Sequence, residues 1–217
     1  MRFLSISIFA LTLLSAVPLS ANEGGPDAAN LPKMRWGATE THQKWNAEAL
    51  VALRTHGQVL PQTVPKDIDR WCPYYRDADL FTREAFWIGF LSALAKHEST
   101  YNQTAVGGGG RWFGLVQIAP GTARGYGCRA RSGAALKDGG SNLSCAIRIM
   151  SSTVSRDGVI AQRDIRWRGV AADWGPLTNS KKRSDMTKWL KAQPYCKASI
   201  APAPPKPKKR RFNSPNQ

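Results

Sequence analysis

Glu98 ends the apolar run "AFWIGFLSALAKHE". Phe86, Phe90 and Leu94 recur at i, i+4 and i+8, with Trp87 and Leu91 beside them. This is the pattern of a helix buried over a wide face. A carboxyl one turn beyond Leu94 falls on the flank of that stripe. Apolar neighbours disfavour its charged form, and so does the negative end of the helix dipole. Together they are expected to raise the pKa of Glu98 by at least about one unit above the free value of ~4.3. A carboxyl that keeps its proton near neutral pH can protonate a leaving oxygen as a general acid. Helical position alone favours a solvent-facing glutamate at a fraying end, so the chemistry rests on the residues downstream of Glu98.

Those residues read "HESTYN" and then "GGGGRWFGLVQIAPGTA". Glu98-Ser99, Tyr101-Asn102, Ala105, the block Gly114-Leu115-Val116-Gln117-Ile118, Pro120 and Thr122-Ala123 carry a resemblance that extends weakly to "AADWGP" at 171–176. In these two blocks and their spacing the chain resembles the catalytic core of the soluble-lytic-transglycosylase-like family, enzymes of the lysozyme-like superfamily that cut bacterial peptidoglycan. The resemblance reaches over roughly residues 70–196. It implies a mainly α, lysozyme-like helical domain with a small loop or β-like insertion. It also implies that Glu98 is the single acid/base, protonating the glycosidic oxygen between N-acetylmuramate and N-acetylglucosamine. The muramate N-acetyl group would stabilise charge at C1, and the sugar's own 6-hydroxyl would close a 1,6-anhydro ring. By the same carry-over Ser99 orients the acid, Gln117 bonds the sugar and Tyr101 packs beneath the site. Such substrate-assisted chemistry dispenses with the usual second carboxylate. None lies beside Glu98 in sequence, although folding could bring in Asp138, Asp157 or Asp173.

The chain also departs from the family pattern. "GGGGRW" replaces a more ordinary loop and is one residue longer, so the family serine that meets the substrate N-acetyl group has no counterpart at Gly107 or Gly108. Ala172 stands where the third motif carries a tyrosine. Trp174, beside it, and Trp112, in the glycine loop, are candidate sugar-stacking faces.

Several further elements must position these groups. Thr39 or Thr41 can cap a helix carrying Trp45, Ala49, Leu50 and Leu53, with Gly57 to stop it. "LPQTVP" is a connector, "KDIDRWC" a short helix, and Thr82 a candidate cap for the helix of Glu98. Residues 107–114 are expected to form a loop, since four glycines are unfavourable inside an element. "TARGYG", "NLSCAIRIMSSTVSRDG" and "DMTKWLKAQ" are expected to be helical. Cys72, Cys128, Cys145 and Cys196 allow three pairings. Proximity favours Cys128–Cys145, which leaves Cys72–Cys196 to tie the start of the domain to its end. No CxxC or close Cys/His cluster appears, so neither a metal nor a cofactor is expected.

The ends and the charge bound the rest. Residues 1–21 carry Arg2, an apolar run and small residues at Ser20-Ala21, the pattern of an export signal. The run is short for a membrane span, which needs ~20 residues, so no stable anchor is expected. The expected organisation is therefore a signal at 1–21, a flexible segment and helix at 22–65, the lysozyme-like domain at 66–197 and a disordered, Pro-rich basic tail at 198–217. The product would be a monomer in the periplasm or outside the cell, where disulfides persist. The chain has 31 Lys and Arg against 15 Asp and Glu. That balance favours an anionic partner, and for an exported chain peptidoglycan and other envelope polymers suit better than nucleic acid. Three functions fit: a lytic transglycosylase, a hydrolytic muramidase on the same fold, and a non-catalytic wall-binding module.

Overall fold

The computed structural model describes residues 26–197, and the expected signal at 1–21 and tail at 198–217 lie outside them. The chain runs through α1 (Pro26–Ala29), α2 (Glu40–Arg54), α3 (Val59–Gln62), α4 (Leu80–Glu98), β1 (Val106–Gly107), β2 (Trp112–Phe113) and α5 (Pro120–Gly125). It continues through α6 (Gly139–Asp157), β3 (Ala161–Arg163), β4 (Trp167–Gly169), α7 (Gly175–Thr178) and α8 (Ser180–Ala192), with short 3-10 turns between. The architecture is mainly helical, with two small antiparallel hairpins, β1–β2 and β3–β4.

α4 is the axis of the domain. Every residue from Glu84 to Ala95 is buried, as expected of a helix surrounded on all sides rather than one facing water. It begins earlier than the sequence suggests. The Asp79 carboxylate accepts the Thr82 N–H at 2.7 Å, so Asp79, not Thr82, is the cap. Glu84 lies in the second turn of α4. It is 3% exposed and clamped by the Arg54 guanidinium of α2 at 2.8–3.2 Å.

α2 is capped by Thr39 in a reciprocal pair with His42, and its Trp45, Leu50 and Leu53 enter the same core as α4. The residues before it correct an expectation. Within the stretch expected to be flexible, Met34 is 2% exposed, and Trp36 just beyond it is 4% exposed. The Trp36 indole donates to Asn46 at 3.0 Å, and Arg35 grips Asp185 of α8 at 2.7 and 2.9 Å. Two large apolar side chains and a bidentate ion pair outweigh the Gly/Pro/Asn-rich composition of the segment. The boundary expected at residue 65 accordingly separates nothing in the packing.

α6 starts at Gly139, with Asp138 accepting the Ser141 N–H at 2.8 Å, and stops at Gly158 in the left-handed conformation. Residues 107–114, expected as a loop, include the short β1–β2 pairing, with Val106 opposite Phe113 and Gly107 opposite Trp112. The β3–β4 hairpin was not expected, because "AQRDIRWRG" shows no clean alternation of polar and apolar residues. Cys72 is bonded to Cys196 and Cys128 to Cys145. Among the described residues no helix is long and apolar enough to cross a membrane, and no group of His, Cys, Asp and Glu is placed to hold a metal.

The bridges close loops with separations of 124 and 17 residues. In the chain-entropy picture their loss destabilises by about 5 and about 3 kcal/mol respectively. Urea denaturation of the paired alanine variants should show the larger loss for Cys72→Ala/Cys196→Ala.

Candidate active site

Glu98 is the last residue of α4. The chain turns immediately after it, with Thr100 at φ 52° and Tyr101 at φ 66°. Left-handed backbone at two consecutive non-glycine residues is strained and persists only where the surroundings hold it. Ser99 supplies part of that hold, since its hydroxyl donates to the Leu115 carbonyl at 2.8 Å. Ser99 therefore does not bond the acid. It staples the end of α4 to the second motif block, "GLVQI".

That block is a tight turn. Phe113 and Ile118 exchange both backbone hydrogen bonds at 3.1 and 3.0 Å, and Gln117 lies at φ 51°. Gly114 is at φ 82°, and a Cβ there would lie 2.1 Å from the Leu136 carbonyl, so only glycine fits. The Gln117 amide donates to the Gly114 carbonyl at 2.9 Å and the Ala105 carbonyl at 3.4 Å. Its Oε1 rests over Gly107, where a Cβ would come within 2.2 Å. Gln117 thus joins the turn to the β1–β2 hairpin. The hairpin in turn carries Trp112, which is 43% exposed and has its ring against Gly108 and the Arg111 guanidinium 5.1 Å from its centroid.

Trp174 requires a correction. It is 4% exposed, and its indole N–H donates to the Val116 carbonyl at 2.8 Å. It is a strut behind the turn, not an open stacking face. Tyr101 is half-buried and packs on the core near Arg35 and Asp185. The structure therefore gathers Ser99, Gln117 and Trp112 around one turn that Ser99 ties to the end of α4 at Glu98, with Trp174 bonded to the turn and Tyr101 packed on the core toward Arg35 and Asp185.

Sequence reasoning missed Asn142. Its side chain is fully buried and makes three hydrogen bonds. Oδ1 accepts the Val116 N–H at 3.0 Å, and Nδ2 donates to the Phe113 and Leu136 carbonyls, each at 3.0 Å. In the sequence Asn142 stands out only as a sequon, Asn142-Leu143-Ser144. A polar residue at an apolar position of the α6 stripe was the available signal. Asp185 was missed as well. It receives Arg35, His97 at 2.7 Å and Lys96 at 3.3 Å, so α8 grips the last turn of α4 next to Glu98.

Burial pushes the pKa of Glu98 up to about 7, opposed only by the positive charge of Lys182 on α8. No hydrogen bond reaches its carboxyl and no second carboxylate acts on it among the described residues. The three candidates are occupied elsewhere. Asp138 caps α6, Asp157 binds Arg156 and the Gly169 N–H, and Asp173 accepts the Tyr126 hydroxyl at 3.2 Å. The arrangement provides a lone carboxyl, protonated at mildly acidic pH and able to give and retake one proton.

Residues 82–172 match the family model described as the transglycosylase SLT domain. Solved structures of DslA (Bd0314) are similar over most of the domain. A wild-type form shares 29% identity at a TM-score of 0.67, covering 73% of this chain and 94% of that one. A variant of the same protein with glutamine in place of one glutamate gives a TM-score of 0.68 at the same identity and coverage. No curated protein matches.

The raised pKa of Glu98 and the bonds of Asn142 are each open to a stability measurement. Between pH 4.5 and 7 the folded protein keeps a proton on Glu98 that the unfolded chain releases, so this group's contribution falls as pH rises through that window. Neutral Glu98→Gln should therefore be more stable than wild type at pH 8, by about 1–3 kcal/mol, and equal to it at about pH 4. Asn142→Ala strands three buried backbone groups and should lose about 3 kcal/mol or more in urea denaturation. Over residues 82–172, from the first turn of α4 to Ala172, the chain is similar to the transglycosylase SLT domain, and its mainly helical, twice disulfide-bonded fold is consistent with a lysozyme-like domain.

Proposed function

We propose that the protein is an exported lytic transglycosylase that cuts peptidoglycan glycan strands with Glu98 as its single acid/base. The observation that carries the reading is the state of Glu98: a carboxyl with a pKa raised to about 7 by burial, with no second carboxylate acting on it. Protonated Glu98 gives its proton to the glycosidic oxygen as the bond from C1 of N-acetylmuramate breaks. The muramate N-acetyl oxygen stabilises C1. Glu98, now an anion, takes the proton of the 6-hydroxyl as that oxygen bonds C1. Proton and bond counts close with no water consumed, and Glu98 returns to its starting form. A hydrolase of the two-carboxylate kind needs a base or nucleophile on the other side of the sugar, and the occupied Asp138, Asp157 and Asp173 argue against one.

Trp112 and Gln117 are the proposed sugar contacts, while Ser99, Tyr101 and Trp174 hold the frame. Two disulfides support an oxidising compartment, in line with residues 1–21 as an export signal and 198–217 as a basic tail for anionic envelope polymers. The net charge of +16 suits a glycan bearing peptide carboxylates.

Digestion of purified sacculi should release 1,6-anhydromuramyl products from wild type and none from Glu98→Gln. Products one water heavier would instead mark a hydrolytic muramidase, and release unchanged in Glu98→Gln would remove Glu98 from the chemistry. kcat/KM should fall above an apparent pKa near 7, because the acid form is the one that starts the reaction. Lys182→Met should move that limb to higher pH, since the lysine charge lowers the Glu98 pKa.

A further inference from the structure

A cleft opens beside Trp174. It has a volume of about 560 Å³, and its walls include Arg156, Arg166, Trp167, Ala172, Asp173 and Trp174. Trp174 is shared: one side lines this cleft and its indole N–H holds the Val116 carbonyl of the turn. The outer wall is the β3–β4 hairpin, whose tip projects Ile165 at 99% exposure. Trp167 on β4 is flanked by two guanidinium groups, Arg183 at 5.2 Å and Arg163 at 5.9 Å from its ring centroid. Arg183 is fixed by a hydrogen bond to the Leu177 carbonyl.

The charges here are unbalanced in a specific way. Arg156 is satisfied by Asp157, and Arg168 by Asp157 and Asp164. Among the described residues the side chains of Arg163 and Arg166 have no carboxylate partner and no hydrogen bond. The one acid lining the cleft, Asp173, is engaged by the Tyr126 hydroxyl. Unpaired guanidinium groups beside an aromatic face bind carboxylates bidentately while the ring takes up alkyl surface.

We propose that this cleft is a subsite for a short acidic peptide, the carboxylate-bearing stem carried by the glycan, with Trp167 as its floor, Arg166 in its wall as one anion contact and Arg163, outside the wall but beside the Trp167 ring, as a second at its rim. This rests on the glycan reading of the neighbouring site. The shared Trp174 wall, and Lys182 acting on Glu98 next to Arg183 on Trp167, place the two sites within reach of one polymer.

Two experiments on the full chain test it separately from that reading. In the first, a synthetic stem tripeptide with free carboxylates is titrated while the Trp167 indole N–H is followed by NMR, beside the fully amidated tripeptide. The free form should shift Trp167 and bind at least about tenfold more tightly than the amide. Arg163→Ala/Arg166→Ala, two exposed changes, should abolish the difference. An unmoved Trp167, or equal binding of both forms, overturns the proposal. In the second, wild type and the double variant digest stem-bearing glycan and glycan stripped by an amidase. Wild type should favour the stem-bearing substrate and the double variant should cut both at equal rates. Equal rates in wild type, or a preference that survives in the variant, overturn the subsite and leave the glycan reading standing. If wild type cuts neither substrate, the glycan reading fails and the peptide titration alone decides the subsite.

Discussion

The carboxamide of Asn142 binds the Val116 N–H and the Phe113 and Leu136 carbonyls in a fully dry position, and the arrangement around Glu98 depends on it. The Phe113–Ile118 turn contains a glycine at φ 82°, which glycine adopts freely, and a glutamine at φ 51°, which a non-glycine residue seldom keeps without support. Buried donors and acceptors left unmatched are strongly unfavourable, so the turn has one position in which Asn142 is satisfied. Ser99 then docks on Leu115, Gln117 on the β1–β2 hairpin and Trp174 on Val116. Each of these bonds fixes a different wall relative to the end of α4.

A second constraint acts from the other side. Asp185 draws Arg35, Lys96 and His97 together, and Arg35 first among them holds its carboxyl well below the usual range. The cluster joins the chain before α2, the last turn of α4 and α8 at one point. It holds the strained segment Thr100–Tyr101 next to a helix end and sets Lys182, one turn away on α8, at a distance where its charge is felt by Glu98. Glu98 is thus the one acid near this junction left without a partner among the described residues. The consequence of an unpaired, largely buried carboxyl is a raised pKa, which is also the property a general acid needs.

Much of this was legible in the sequence, for identifiable reasons. The stripe Phe86, Phe90, Leu94 revealed α4 because burial on a helix leaves a periodic trace, and Glu98 stood out as a charge at its end. The "GLVQI" block was visible as a motif, but its physics was not: the turn is held by Asn142 bonds to residues 26 and 29 positions away. Asn142 stood out only as a sequon because its one other trace, a polar residue on the apolar stripe of α6, does not reveal which backbone groups it binds. Trp174 was misassigned for the same reason, since an indole beside a motif can face either way until its N–H partner is known. The packed residues around Met34 and Trp36 were hidden by turn-rich composition, and the β3–β4 hairpin by a sequence dominated by arginine rather than by alternation.

A single proton on Glu98 is central to the chemistry proposed for this fold. A carbon-13 NMR titration of the Glu98 side-chain carboxyl in the ligand-free protein measures it without reference to any substrate. The midpoint should lie near pH 7 and move upward when Lys182 is neutralised. A midpoint at the ordinary glutamate value near 4.5 would mean that the carboxyl is fully hydrated, and the assignment of Glu98 as a buried acid would be wrong.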